Sequence, residues 1–220
     1  MICIFNAAIF DLDGTIIDSM GMWKDISIES MNNRNITIDD DIIKVLEVMT
    51  FNESAKFLVS RFNLNEPPQA LVDDWSNMAY KYYSNKFKLK SGVMEYLNYL
   101  KNNKIKLAVA TSCMRNLCMA VLENNNAIHY FDEIVLSTEI GSNKSKPDIY
   151  LHTAKKLDVP PNECMVYEDI LIAIKSARRA GMTVTAVYDK YAEHELQEIK
   201  KNAHFFINSF DELLLNTMQV

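Results

Sequence analysis

Residues 4–15 read Ile-Phe-Asn-Ala-Ala-Ile-Phe-Asp-Leu-Asp-Gly-Thr, and the fold turns on this stretch. Residues 4–10 are almost continuously apolar and stop abruptly at Asp11, Asp13 and Gly14. A short apolar run that ends in a turn signal fits a strand buried on both faces, as in a parallel sheet. Gly14 permits the sharp backbone turn that releases the chain from such a sheet. Working outward, comparable runs occur at residues 105–110, 133–136, 165–167, 183–187 and 205–207. Between them lie helical patterns at residues 93–100, 116–123, 148–157, 171–180 and 193–201, the fourth stopping at Gly181. From about residue 91 onward, then, helix and strand alternate. That order implies a parallel sheet covered by helices and joined by right-handed crossovers.

The stretch between the first strand and residue 88 is different. It holds no strand pattern, only helical ones at residues 22–31, 40–48, 53–62 and 69–87. Breaks fall near Asn32-Asn33, Thr50 and Pro67-Pro68. The chain therefore reads as α/β with an α-helical insertion: a core of residues 1–17 and 89–220, and an inserted unit of residues 18–88, joined by hinges near 17–19 and 87–91.

Bulk properties narrow the class. A net charge of −6 argues against a nucleic-acid binder, which needs a basic face, and against attachment to anionic lipid by charge. No apolar stretch approaches the roughly 20 residues that span a bilayer. The first ten residues lack a basic leader and run straight into Asp11, so they read as a buried strand rather than a signal peptide. Cys3, Cys113, Cys118 and Cys164 form no CxxC pair and match no zinc spacing, which makes a reducing cytoplasmic location the expectation.

In an open parallel sheet, ligands bind at the carboxyl ends of the strands. Here those ends carry Asp11 and Asp13, Thr111 and Ser112, Asn143 and Lys144, and Glu168 and Asp169. Clustered carboxylates repel one another, and a hard cation relieves that repulsion; an all-oxygen set suits Mg²⁺. A calcium loop starting at Asp11 fails, because its sixth position would be Ile16 rather than glycine and its twelfth Met22 rather than glutamate.

Taken in order, four segments resemble the haloacid dehalogenase superfamily, in its phosphatase and β-phosphoglucomutase-like branch. They are Phe10-Asp11-Leu12-Asp13-Gly14-Thr15; Val109-Ala110-Thr111-Ser112; Lys144-Ser145-Lys146-Pro147-Asp148; and Val166-Tyr167-Glu168-Asp169, followed by Ala177-Arg178-Arg179-Ala180-Gly181-Met182. The resemblance implies a Rossmann-like parallel sheet flanked by helices, with the insertion serving as a helical cap domain. It implies Asp11 as nucleophile and Asp13 as general acid and base, a role that needs a carboxyl of raised pKa. Asp13 would also lend its backbone carbonyl to Mg²⁺, with Asp11, Glu168 and Asp169 as the other ligands. Thr111 and Ser112 would hold the phosphoryl group. A lysine would neutralise charge on nucleophile and phosphate; the family register selects Lys144, and Lys146 is its rival. The substrate implied is a small phosphorylated metabolite, with no nucleic acid and no membrane, on a monomer or weak homodimer.

The sequence departs from the family in several places. Ile170 and Ala173 replace the serine and glycine that usually follow the last motif. Trp23 stands where the mutase carries a cap histidine, and the segment at Phe51 offers no cation for a second phosphate, which favours a phosphatase over a sugar-phosphate mutase. Trp23 and Phe51 fit either a less polar pocket wall or plain core packing. Arg115 fits either a distal anion contact or a solvated first-turn residue.

Overall fold

A computed structural model describes residues 5–46, 49 and 51–217. Ile4 at the start of the expected first strand, Cys3, the last two residues of the helix expected over 40–48, and the break at Thr50 lie outside the described residues. The chain divides into two compact units, Met1–Ser19 with Phe87–Val220, and Met20–Lys86.

In the first unit, six strands run β1 (Ala7–Phe10), β2 (Lys106–Thr111), β3 (Glu133–Leu136), β4 (Cys164–Glu168), β5 (Thr183–Val187) and β6 (Phe205–Ile207). Their order in the sheet is β3-β2-β1-β4-β5-β6, and every pairing is parallel. This is the Rossmann-like sheet that the apolar runs imply. The chain passes from β1 out to β3 and then returns to β4 on the other side of β1. The order therefore reverses beside β1, where an open α/β sheet leaves a crevice at its carboxyl edge.

All four residues of β1 are fully buried, so both faces of the sheet are covered. On one face Ala7 and Ile9 join a cluster that includes Ile149, Tyr150, Ile174 and Ala177. On the other, Phe10 stacks on Tyr167 at 4.6 Å between ring centroids, and both lie against Phe210. The Tyr96 and Tyr167 hydroxyls, buried within this aromatic layer, satisfy each other at 2.5 Å.

The helices that cover these faces are α5 (Val93–Asn102), α6 (Arg115–Asn124), α7 (Asp148–Leu157), α8 (Leu171–Arg179), α9 (Leu196–Asn202) and α10 (Asp211–Thr217), after the four of the second unit. Two departures from expectation trace to particular side chains. The helix expected over 193–201 begins later, at Leu196, because the Asp189 carboxylate accepts from the Tyr191 backbone N–H and holds residues 190–195 in a tighter 3₁₀ form. Helix α10 was not foreseen: it is seven residues long, and its anchor is Phe210, which precedes it.

Gly92 shows how closely that last segment is packed. It sits at φ +77°, and a Cβ there would meet the Asp211 nitrogen at 2.4 Å and the Phe210 carbonyl carbon at 2.7 Å. Backbone strain and overpacking each cost about 1–3 kcal/mol. Gly92→Ala is therefore expected to lower Tm by roughly 4–24 °C, at about 2–4 °C per kcal/mol in a chain of this size. Gly141→Ala, also at positive φ but with nothing within 4 Å of the added Cβ, carries only the strain and is the control. Equal Tm shifts for the two in a thermal melt would show that the 92–211 contact is not tight.

The second unit contains α1 (Met22–Asn32), α2 (Asp40–Leu46), α3 (Phe51–Phe62) and α4 (Pro68–Lys81). Ile26, Met31, Leu58, Leu71 and Trp75 form its interior. Arg34 links α1 to α4: its guanidinium reaches both Glu66 oxygens, at 2.5 and 3.1 Å, and Asp74 at 2.9 Å. The helix expected over 69–87 changes at Tyr82 into a π turn (Tyr82–Lys86). There the Asn85 side-chain amide donates to the Lys81 carbonyl, the acceptor an α-helix would give to the Asn85 backbone. Phe51 packs edge-on between Trp23 and Trp75 at 4.7 and 5.0 Å and is half-buried, whereas Trp23 is 43% exposed. Among the described residues no helix is long and apolar enough to cross a membrane.

Candidate active site

Four loops at the carboxyl ends of β1, β2, β3 and β4 bring the polar residues together. Phe10 pairs in register with Tyr167, and the Asp11 N–H continues the ladder by donating to the Tyr167 carbonyl at 3.0 Å. Asp11 is thereby set beside Glu168 at the end of β4. The chain then folds tightly: Ile16 N–H donates to the Leu12 carbonyl at 3.0 Å, and Gly14, at φ +81°, donates to the Ile17 carbonyl at 3.0 Å. Lys90 ties this turn down from outside, donating to the Gly14 carbonyl and pairing with buried Asp189 at 2.9 Å.

The centre holds three buried carboxylates, Asp11, Glu168 and Asp169, with oxygens all within 4.8 Å of one another. One ammonium enters the group. Lys144, itself buried, donates to Asp11 and to Glu168, the latter at 2.5 Å. Lys146 is exposed. Burial alone would lower the Lys144 pKa, but the Asp11 and Glu168 carboxylates outweigh it and hold the ammonium above its ordinary value. Burial drives Glu168 the other way for a carboxylate, up to about 7, with Lys144 opposing and Asp11 reinforcing. Asp169 is likewise held well above its ordinary value, by burial first and then by repulsion from Asp11 and Glu168.

Hydroxyl groups fix these carboxylates. Thr15 donates to Asp169 at 2.9 Å, with Asp11 3.5 Å away; the Tyr150 hydroxyl donates to Glu168 at 2.8 Å; Ser19 donates to Asp13 at 2.6 Å. The Asp13 carboxylate is not part of the three-carboxylate group. Thr111 is buried and accepts from the Cys113 N–H at 3.0 Å, which leaves its own hydrogen for another acceptor. Ser112 shares a hydrogen bond with Ser137 at 3.0 Å. Arg115 lies on the surface in an ion pair with Glu139, which absorbs the anion contact considered for it. Among the described residues, Cys113, Cys118 and Cys164 form no disulfide.

Thr15, Ser19, Tyr150 and Lys90 hold this centre in addition to the residues that the motifs single out. Thr15, Ser19 and Tyr150 stand inside or beside the motifs, so position alone could have flagged them. Nothing local marks Lys90, whose partners lie 76 and 99 residues away in sequence.

The donor set fits a divalent cation. Three carboxylates face one ammonium, every carboxylate donor is oxygen, and burial first, with mutual repulsion second, raises Glu168 and Asp169. The sign of the resulting pH effect follows. Glu168 holds its proton more tightly in the folded chain than in the unfolded one, so it stabilises fully below its ordinary value of 4.5, and that stabilisation is lost as pH rises through about 7. In EDTA, the Tm of the wild type is expected to fall more steeply between about pH 5 and about pH 8 than that of Glu168→Gln, and Mg²⁺ is expected to raise the wild-type Tm more at the higher pH. Parallel Tm profiles for the two proteins, with no Mg²⁺ effect, would contradict a crowded carboxylate centre.

This sheet, with acidic residues gathered at its carboxyl edge, defines a class of hydrolase. The haloacid dehalogenase-like hydrolase family matches residues 8–187, and the chain belongs to it. Among individual relatives it is 31% identical to the β-phosphoglucomutase of Bacillus subtilis strain 168 over 195 residues, 83% of each chain. It is 24% identical to the phosphorylated carbohydrates phosphatase of Thermotoga maritima over 177 residues, 80% of this chain and 82% of that one. A solved Thermotoga maritima structure, proposed to be a β-phosphoglucomutase, superimposes with a TM-score of 0.85 at 22% identity, covering 98% of this chain and 99% of that one; at that identity it speaks for the fold.

Proposed function

We propose that the protein is a Mg²⁺-dependent phosphatase that hydrolyses a small phosphorylated metabolite through a phosphoryl group held transiently on Asp11. The observation that carries this reading is the buried Lys144 ammonium between Asp11 and Glu168, in contact with the carboxylate group that also includes Asp169. A phosphate dianion approaching a carboxylate meets strong repulsion, and a fixed cation at that point relieves it. When bound by Asp11, Glu168, Asp169 and the Asp13 carbonyl, Mg²⁺ supplies the remaining charge neutralisation.

The chain's own residues then carry the steps. Thr111 and Ser112 orient the phosphoryl oxygens. An Asp11 oxygen forms a bond to phosphorus as the ester P–O bond breaks, and Asp13 gives its proton to the departing alkoxide, releasing an alcohol. Asp13, now a carboxylate oriented by Ser19, takes a proton from water as that water attacks phosphorus. Inorganic phosphate leaves and Asp11 is restored. Residues 18–88 act as the cap that selects the substrate, and the protein works on small molecules in the cytoplasm.

Phosphate release from a panel of phosphorylated metabolites, measured with Mg²⁺ and with EDTA, tests the reading. Release that requires the metal supports it, and absence of release from every compound rejects it. The identity with a β-phosphoglucomutase supports a second reading, a sugar-phosphate mutase. Product analysis on a hexose 1-phosphate separates the two: free phosphate marks the phosphatase, hexose 6-phosphate the mutase.

A further inference from the structure

A second concavity is formed by residues other than those of the carboxylate centre. Helix α8 turns Ile172, Lys175, Arg178 and Arg179 outward, and together with Ser145 and Asn202 they line an open cavity of about 440 Å³. That volume is in the range of small-molecule sites, roughly 300–1,000 Å³. No residue of the carboxylate centre contributes to it.

Its charge is one-sided. Among the described residues, none of Lys175, Arg178 and Arg179 has a carboxylate within ion-pair distance. Both arginines are held by main-chain carbonyls instead. Arg178 donates to the Asn202 carbonyl at 2.8 Å, and Arg179 donates to that of Ser145. These bonds orient the guanidinium groups without neutralising them and leave further N–H donors free. The uncompensated charge is felt nearby: burial and then the Arg178 cation lower the pKa of His204. Three unpaired cations in one concavity stand out on a chain of net charge −6. Guanidinium forks with a neighbouring ammonium are the donor set that recognises phosphate oxygens.

We propose that this cavity binds a compact, multiply charged phosphate anion of the pyrophosphate class, and that its occupancy is transmitted through Arg179 and the Ser145 carbonyl to the adjacent Lys144. The inference stands apart from the phosphatase reading, since the binding step needs no turnover.

Sodium pyrophosphate titrated into the full-length chain in EDTA, followed by calorimetry and by backbone amide NMR, tests it. Saturable binding is expected, with shifts at Lys144, Ser145, Ile172 and Asn202. The Lys175→Gln/Arg178→Gln double variant, at two exposed positions, is expected to keep the wild-type Tm and to bind at least about tenfold more weakly, the equivalent of about 1.4 kcal/mol. In Arg179→Gln, the shift at the Lys144 amide is expected to disappear while those at Ile172 and Asn202 persist. Absence of saturable binding, equal affinity in the double variant, or shifts confined to residues 11–15 and 168–169 would overturn the site. Persistence of the Lys144 shift in Arg179→Gln would overturn the coupling.

Discussion

Asp11→Asn is expected to reduce Mg²⁺-dependent phosphate release by at least about 10⁴-fold, the scale on which removing a catalytic nucleophile acts. The substitution keeps the shape of the side chain and removes the negative oxygen that would bond to phosphorus. It also relieves the repulsion that Asp11 exerts on Glu168 and Asp169. The folded chain in EDTA is therefore expected to be at least as stable as wild type, even though the Lys144 contact to Asp11 is weakened. Loss of activity with retained stability is the signature of a chemical role. The decisive measurement is single-turnover phosphate release beside a thermal melt. Residual activity within about tenfold of wild type would remove Asp11 from the chemistry, far short of the loss that removing a catalytic nucleophile causes.

Lys144→Ala is expected to be the most destabilising substitution at the site, by about 3–5 kcal/mol when measured in EDTA. Removing one partner of a buried ion pair leaves the other charge without compensation, and here two carboxylates, Asp11 and Glu168, lose the same ammonium. Because Glu168 can escape by taking up a proton, the cost should shrink as pH falls toward about 7, where Glu168 titrates. Mg²⁺ should restore part of the stability, since it meets the same excess of negative charge. Activity should fall by at least about 10²-fold even with the metal present, the usual consequence of losing one fixed electrostatic contact to the reacting group. Lys146→Ala is the internal control. That side chain is exposed, and its removal should move stability by no more than about 0.5 kcal/mol. Equal effects of the two substitutions in paired denaturant titrations would contradict the buried position of Lys144.

How far the sequence led can be judged strand by strand. The runs at 133–136, 183–187 and 205–207 coincide with β3, β5 and β6, and the helix read at 148–157 coincides with α7. These elements were legible because a strand buried on both faces must be continuously apolar, while a helix covering it is apolar on one side only. Elements set by the contacts of one particular side chain were not. Helix α10 depends on Phe210 meeting Phe10, Tyr96 and Tyr167, and the 3₁₀ stretch after Asp189 depends on one side-chain bond. Neither leaves a periodic trace.

By itself the sequence determined the parallel α/β class and the polar residues available at the strand ends, because burial and chain reversal are written into local composition. The tertiary structure alone decided which of those residues meet. It buries Lys144 between Asp11 and Glu168, 133 and 24 residues away, and leaves Lys146 exposed. It also recruits Tyr150, Thr15 and Lys90 to hold the centre, and sets Lys175, Arg178 and Arg179 around a cavity without a carboxylate partner among the described residues. The reason is physical: charge and hydrogen bonding act through space over a few ångströms, and distance along the chain carries almost no information about that separation until the sheet has closed.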